Sequence, residues 1–458
     1  MDTHDHPKRS AFSGKIGFVL AAAGASVGLG NIWRFPYLAA KYGGGIFLLI
    51  YILLAFTFGY TMIMAETALG RMTRKSPVGA FRAYGGRKWL AFGGWINAVI
   101  PILIVPYYSV IGGWVIRYLI EYLLGHGSDL AADGYFNSFI SSGLSAELSF
   151  AVFAVFTLSI IFAGVQNGVE RVSKLMMPVL AVLSVIIAVY SVTRPGALAG
   201  VKYFLIPNLE HFSWMTVVTA MGQMFYSLSI AMGILITFGS YMKKDVSIEG
   251  STENVEIFDT AIAIMAGLMI IPAVFSFSGG DPETLQAGPA LMFITIPKVF
   301  DSMGMGTLVG ILFFLLVLFA AVTSSIALTE SAVSTFEDEL GWTREKATLL
   351  IGGIMLALGS LSALGYGPLS GFTVFGMQFL DLFDFLTNSV MMPIAAITTC
   401  LLVSRILGVE SIEAEVTLNG QKFRRKPVFN FMIRWLCPIF AVIILISSVA
   451  NALGLIAM

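Results

Sequence analysis

The chain is 458 residues long, 57% apolar and only 12% charged, with acidic and basic side chains in equal number. Soluble domains carry about a quarter charged residues, so a soluble globular fold is excluded, and a net charge of zero argues against nucleic acid as a partner. The four histidines (His4, His6, His126, His211) are scattered, and Cys400 and Cys437 lie inside apolar runs, where they read as small buried hydrophobes rather than a disulfide or metal pair.

Apolar runs of about 20 residues, the length that crosses a bilayer, recur from end to end. Eleven spanning segments are expected near 14–38, 44–70, 89–124, 148–165, 172–193, 213–241, 257–278, 306–337, 346–366, 372–406 and 429–456. The polar start MDTHDHPKRS shows no cleavable signal pattern. Most of the 27 Lys and Arg fall before the first segment or in alternate loops, whereas the outer loops hold only Arg194, Lys202 and Lys298. By the positive-inside rule the N-terminus is cytoplasmic and, after an odd number of spans, the C-terminus lies outside the plasma (inner) membrane. The polar stretches 125–147, 242–256, 279–305 and 407–428 are too short to bury a core of their own.

The first segment contains GASVGLGNIWRFP, residues 24–36. Glycines alone in such a run fit close helix packing. Joined by Ser26, Asn31 and Arg34, they point to a broken helix, whose freed backbone must be satisfied by protein or a cavity. The sixth segment repeats the pattern in GQMFYSLSIAMG, residues 222–233. Interrupted helices in corresponding halves mark a transporter's binding site, because opposed helix ends hold carboxylates and freed carbonyls hold cations. A third polar cluster, AAVTSSIAL at 320–328, is open to two readings. Thr323 and Ser324 either back-bond to the preceding turn or supply hard oxygens to a dehydrated cation. Glu66, Asp259, Glu330, Asp381 and Asp384 are carboxylates within the membrane and therefore functional candidates. Each has a structural alternative; Glu66, for one, suits the satisfaction of unwound backbone.

These stretches, with GGG at 43–45, ETALGR from Glu66 to Arg71, Tyr107–Tyr108, NGVERVSKLMMP at 167–178 and FEDEL at 336–340, resemble the neurotransmitter:sodium symporter family, in particular its bacterial amino-acid branch. The resemblance implies an all-α polytopic fold of two inverted five-helix repeats, 14–193 and 213–406, with helices 1 and 6 broken. A cytoplasmic tail, 1–13, would precede the repeats and an eleventh helix, 429–456, would follow. It implies two Na⁺ sites, the first at Ser26, Asn31, Ser227 and Asp259 with the substrate carboxylate, the second at Gly24, Val27, Ala320, Thr323 and Ser324. The substrate would meet Leu29, Gly30 and Tyr108 through its carboxylate, and carbonyls around Ser26, Tyr226, Ser227 and Ser229 through its amine. Its side chain would lie among Ile104, Tyr226, Met232, Ser324 and Leu328. Arg34 and Asp384 resemble an outer gate, and Arg9, Tyr241 and Asp338 an inner one.

Against the bacterial pattern, Ser26 replaces an alanine, Ala25 an asparagine, Ala231 a glycine, and Tyr226 the usual phenylalanine, changes that bear on substrate size. Ala263 stands where chloride-requiring relatives have a serine, and Asp259 stands for their asparagine, so no chloride requirement is expected. The function implied is Na⁺-coupled symport of a neutral, hydrophobic or aromatic amino acid by alternating access across the lipid bilayer. A carrier of another small zwitterion or osmolyte is the alternative. A channel or membrane enzyme finds no filter repeat or catalytic cluster to support it.

Overall fold

The computed structural model describes residues 10–85, 88–279 and 289–455. Among them, nine helices are long and apolar enough to cross a membrane. They are preceded by a bent pair, α1 (Lys15–Ser26) and α2 (Gly30–Lys41), which meet at 54°. The nine include α3 (Gly45–Thr73), α4 (Lys88–Leu123), α5 (Gly143–Phe162) and α6 (Val165–Val192). A second broken pair follows, α7 (Trp214–Ser227) and α8 (Ile234–Tyr241). The remaining long helices are α9 (Ile248–Ser278), α10 (Gly306–Leu340), α11 (Arg344–Leu364) and α12 (Phe379–Leu407). A short connector helix, α13 (Val409–Val416), then leads to α14 (Lys426–Ala452). Counting each broken pair as one segment reproduces the eleven expected from hydropathy.

Two boundaries differ from expectation for local reasons. The tenth segment begins at Phe379 rather than near 372. Apolar Phe372, Val374 and Phe375 read as helix, yet the chain turns there, with Phe375 and Gly376 both at positive φ and Val374 bridged to Met377. The loops expected at 194–212 and 279–305 also contain short helices, Ala197–Leu205 and Ile296–Asp301.

One continuous buried core runs through the bundle. The broken pairs lie in it, α1 packed against α6, α9 and α10, and α8 against α3. The breaks follow from close approach and backbone conformation. A Cβ on Gly28 would lie 2.7 Å from Ser324 Oγ, and one on Gly30 would lie 2.5 Å from the Tyr226 ring. Between α7 and α8, Ser229, Ala231 and Gly233 all sit at positive φ, which a helix cannot accommodate.

Candidate functional site

In apolar surroundings every freed backbone group needs a partner, and the partners found here are the side chains that make the site. At the first break, Val27 N donates to Ala23 O at 2.7 Å. Gly28 N donates to Asn31 Oδ1 at 3.1 Å and Leu29 N to Tyr108 Oη at 3.3 Å. Gln223 of α7 donates to Gly30 O at 3.0 Å. At the second break, Ala231 N donates to Glu66 Oε1 at 2.8 Å, and Ser229 Oγ reaches across to Ala25 O at 2.9 Å. The two interrupted helices therefore brace each other, with Glu66 holding unwound backbone.

Asp259, fully buried on α9, gathers one cluster. Asn31 Nδ2 donates to its Oδ1 at 2.8 Å, Ser227 Oγ lies 3.1 Å from both oxygens, and Tyr51 Oη donates to Oδ2 at 3.3 Å. Asn31, Ser227 and Asp259 are thus brought together as the sequence suggested. Ser26 contributes differently, since its hydroxyl is turned back onto Ala22 O at 3.1 Å, leaving its carbonyl as the available oxygen.

Ser324 on α10 gathers a second cluster. Its hydroxyl lies 3.2 Å from Gly24 O, 3.3 Å from Ala25 O and 3.2 Å from Val27 O. A hydroxyl has a single proton, so three carbonyls converge where one donor exists. Thr323 Oγ1 bonds Phe319 O at 2.9 Å and approaches Ala320 O at 3.2 Å, which is the back-bonding reading, while its Cβ packs on Gly24. All five residues expected at this site lie within one knot, and a hard cation accepted by several carbonyl and hydroxyl oxygens fits the surplus of acceptors.

Between the clusters lies a cavity of about 30 Å³ lined by Ala25, Ser26, Gly28, Leu29, Gly30, Ile104, Tyr108, Tyr226, Ser227, Ser229, Met232, Ser324 and Leu328. All eleven residues expected to touch substrate are in this lining, and none of the lining residues is charged. Ala231, whose methyl was expected near the pocket, is buried but does not line it.

Tyr226 also lines a larger cavity of about 360 Å³, together with Arg34, Asp384, Tyr107 and Asn388. Arg34 sits over the Tyr226 ring at 5.2 Å. Asp384 instead accepts from Asn388 Nδ2 at 2.5 Å and Tyr107 Oη at 3.2 Å, and among the described residues no ion pair joins it to Arg34. The two gate candidates therefore face one vestibule without touching.

At the other end, Tyr241 Oη donates to Glu330 Oε1 at 2.7 Å, and Arg344 donates to the same oxygen at 3.1 Å. Asp338 Oδ2 accepts from Ser76 N at 2.6 Å. Arg9 lies outside the described residues. Sequence reasoning gave no role to Glu330, Arg344, Tyr51 or Tyr107. Two of them carried a signal, Glu330 as a carboxylate within the membrane and Tyr107 as half of the Tyr107–Tyr108 pair.

A bundle with two interrupted helices closing on an uncharged pocket, flanked by oxygen clusters and with a vestibule on one side, defines a membrane transporter rather than an enzyme. Comparison with known proteins identifies the group. The model of the sodium:neurotransmitter symporter family matches residues 9–128 and 135–455, and the chain belongs to that family. It is 33% identical over 443 residues to the sodium-dependent transporter YhdH of Bacillus subtilis, covering 96% of this chain and 97% of that one. It is 30% identical to the sodium-dependent transporter MJ1319 of Methanocaldococcus jannaschii, over 89% and 84% of the two chains. It is also 27% identical to the sodium- and chloride-dependent taurine transporter of Rattus norvegicus, over 89% and 72%. Among solved structures, MhsT in complex with L-phenylalanine superposes with a TM-score of 0.86 at 34% identity, covering 96% of this chain and all of that one. The protein is accordingly a multi-pass, sodium-dependent secondary transporter.

Proposed function

We propose that the protein carries a neutral, hydrophobic or aromatic L-amino acid inward together with Na⁺ by alternating access. The observation that carries this reading is the pocket's division of labour. Its hydroxyls at Ser26, Ser227, Ser229 and Ser324 are turned to protein oxygens, so its polar capacity toward a ligand is the broken backbone together with the proton of Tyr108 Oη, which itself accepts from Leu29 N. Its remaining walls are Ile104, Met232, Leu328 and two tyrosines. Backbone N–H groups at Leu29–Gly30 suit a carboxylate, and carbonyls near Ser26 and Tyr226–Ser229 suit an amine. A charged substrate side chain would be buried without a partner, which costs several kcal/mol. Met232 suits varied apolar shapes, because its thioether repacks readily. The L-phenylalanine bound by MhsT agrees with this class.

Two Na⁺ ions, one at the Asp259 cluster and one at the Ser324 cluster, would hold the broken helices together while the vestibule is open. Asp259 would supply a fixed negative charge beside the first ion, so chloride is not needed. The halves 14–193 and 213–406 form the inverted repeats of this scheme, with the N-terminus cytoplasmic and the C-terminus outside the plasma membrane.

The test is a thermal-stability screen of the purified protein against the twenty amino acids, in Na⁺ and in K⁺. A ligand that binds only the folded protein stabilises it by about 2.7 kcal/mol at one hundred times its Kd. Stabilisation by leucine or phenylalanine in Na⁺ alone is expected. Equal stabilisation in K⁺, or glutamate or lysine outcompeting leucine, phenylalanine and alanine, would overturn the proposal.

A further inference from the structure

The connector 242–247, between α8 and α9, is held in an unusual way. Four of its carbonyls accept from side chains that come from elsewhere. Arg74 donates to Met242 O at 2.6 Å and Arg71 to Val246 O at 2.6 Å, both from the end of α3. Asn419 donates to Lys244 O at 3.0 Å and Gln421 to Asp245 O at 3.1 Å, both from the 408–425 loop between α12 and α14. The same loop is bolted to α3 and α9. Fully buried Arg71 bonds Glu415 twice, through Nε at 2.6 Å to the carboxylate and through Nη2 at 2.5 Å to the carbonyl. Glu249, in the first turn of α9, accepts from Arg424 N and Arg425 N at 2.9 Å each, and from Tyr60 Oη at 2.8 Å. Arg425 pairs with buried Glu256 at 2.9 Å and stacks on Tyr60 at 3.7 Å.

The helix that this connector terminates is equally fixed. A Cβ on Gly70 would lie 1.9 Å from Ile236 O, and one on Gly239 would lie 2.3 Å from Thr67 O. The backbones of α3 and α8 therefore touch at two points one turn apart, leaving no slack for sliding. The opposite edge of the connector meets the N-terminal segment, whose Phe12 ring packs edge-on against Phe238 and Tyr241. Phe12 N donates to Tyr241 O at 3.1 Å and Lys243 Nζ to Ser13 O at 2.9 Å. That segment is itself moored to α6, where Ser13 N donates to Glu170 Oε2 at 2.9 Å and Gln166 Nε2 to Ala11 O at 2.6 Å.

We propose that the 408–425 loop is a strap that clamps the 242–247 connector to α3, making α8 a stationary jaw of the inner path. Arg71, Arg74, Asn419 and Gln421 are then positioning residues. They touch no substrate and act through the connector on α8, whose other end begins at the unwound residues of the pocket. The strap also gives α14, which supplies no residue to the pocket lining, a part in the cycle. Through its loop it steadies one wall of the inner path. This inference rests on the alternating-access reading above.

The test uses the full chain with Thr237→Cys, a buried position on α8 that faces Ser331 and Ser334 of α10, and a small maleimide in detergent solution. Two double variants are compared with the parent, Asn419→Ala/Gln421→Ala and the near-isosteric Asn419→Asp/Gln421→Glu, which keep shape but cannot donate to a carbonyl. Because an exchange of one net hydrogen bond corresponds to about a five- to tenfold change in an equilibrium, both pairs are expected to raise the labelling rate at position 237 about fivefold or more. Labelling of the parent at the rate of both pairs, all remaining folded and monodisperse, would overturn the strap. So would acceleration by the alanine pair alone, which would make the loop a filler rather than a clamp. Labelling needs no substrate, so this result stands apart from the Na⁺ and amino-acid screen. Were α8 also the jaw during transport, the same variants would lower the maximal uptake rate and leave amino-acid Kd within about twofold, since no pocket contact is altered.

Discussion

The two oxygen clusters beside the first break are built on opposite chemistry. The one at Asp259 centres on a full negative charge that already receives hydrogen bonds from Asn31, Ser227 and Tyr51. The one at Ser324 is formally neutral and short of donors, with three carbonyls facing one hydroxyl. In the first, the protein's own donors order the site, and a cation would enter by reorienting rotatable hydroxyls. In the second, the carbonyl dipoles repel one another until a cation arrives. On the proposed reading, the two ion sites at one helix break are not equivalent. One would be a fixed charge that sets the electrostatics of the pocket, and the other would depend on its ion for its geometry.

The sharpest way to break that comparison is to neutralise the charge without changing its shape. Removing one partner from a buried polar network costs about 3–5 kcal/mol, or roughly 100-fold or more in an equilibrium. Asp259→Asn is therefore expected to reduce Na⁺-driven uptake about 100-fold in gluconate medium, with partial recovery when chloride replaces gluconate. The unaltered protein is expected to transport equally in both. A wild type that stops without chloride would show that the fixed charge does not stand in for an anion.

At the neutral cluster the expected effect is smaller. Ser324→Ala removes one of several oxygens and no charge, so the Na⁺ concentration for half-maximal binding is expected to rise about tenfold, in keeping with one lost polar contact of 1–2 kcal/mol. Titrating Na⁺ against amino-acid-dependent stability measures it. A loss as large as that of Asp259→Asn would mean that the two clusters are not different in kind.

How much of this was legible in the sequence depends on where the physics is local. The breaks were readable because glycines, hydroxyls and an amide inside an apolar run have few explanations in a medium that cannot solvate backbone. The Ser324 and Asp259 positions were reached through motif resemblance, and the structure brings them to the same break. The contacts of Tyr51 and Tyr107 were not readable, although Tyr107 stands in the quoted Tyr107–Tyr108 pair. Their partners Asp259 and Asp384 lie 208 and 277 positions away, and no period or spacing in a hydrophobic helix betrays so distant a contact. Glu330 was visible as a membrane carboxylate, but its pairing with Arg344 depends on how α10 and α11 pack. The start of α12 was misplaced because hydropathy cannot tell an apolar turn at Phe372–Phe375 from the first turn of a helix.

The vestibule provides the next comparison, between groups proposed to gate and groups proposed to bind. Arg34 lines the vestibule and touches Tyr226, the residue shared by both cavities, yet does not line the pocket itself. Exposed or hydrated charges contribute little to standing stability, about 0–1 kcal/mol, whereas lids set rates. Arg34→Ala is thus expected to slow uptake about fivefold while amino-acid Kd changes less than about twofold. The split between initial uptake rate and equilibrium binding decides it, and unaltered uptake counts against a gate.

The smallest expected effect concerns the second break, where Ala231 occupies a left-handed conformation at φ 59°. That conformation costs an L-residue about 1–2 kcal/mol, and glycine adopts it freely. Glycine also makes the unfolded chain more flexible, which returns about 0.4–1 kcal/mol of the gain. Ala231→Gly should therefore stabilise the protein by roughly 0.5–1 kcal/mol, the difference between those two terms. Resemblance alone placed the Ala231 methyl near the substrate, where removing it would enlarge the pocket and admit bulkier side chains. In the structure that methyl lies outside the pocket lining, and the residue's N–H is held by Glu66 at 2.8 Å, a bond that glycine retains. The rank order of leucine, phenylalanine and tryptophan in competition binding is accordingly expected to be the same in the variant as in the parent. A shift of that order toward tryptophan, with no rise in melting temperature, would place the methyl in the pocket and make position 231 a determinant of substrate size rather than of backbone strain.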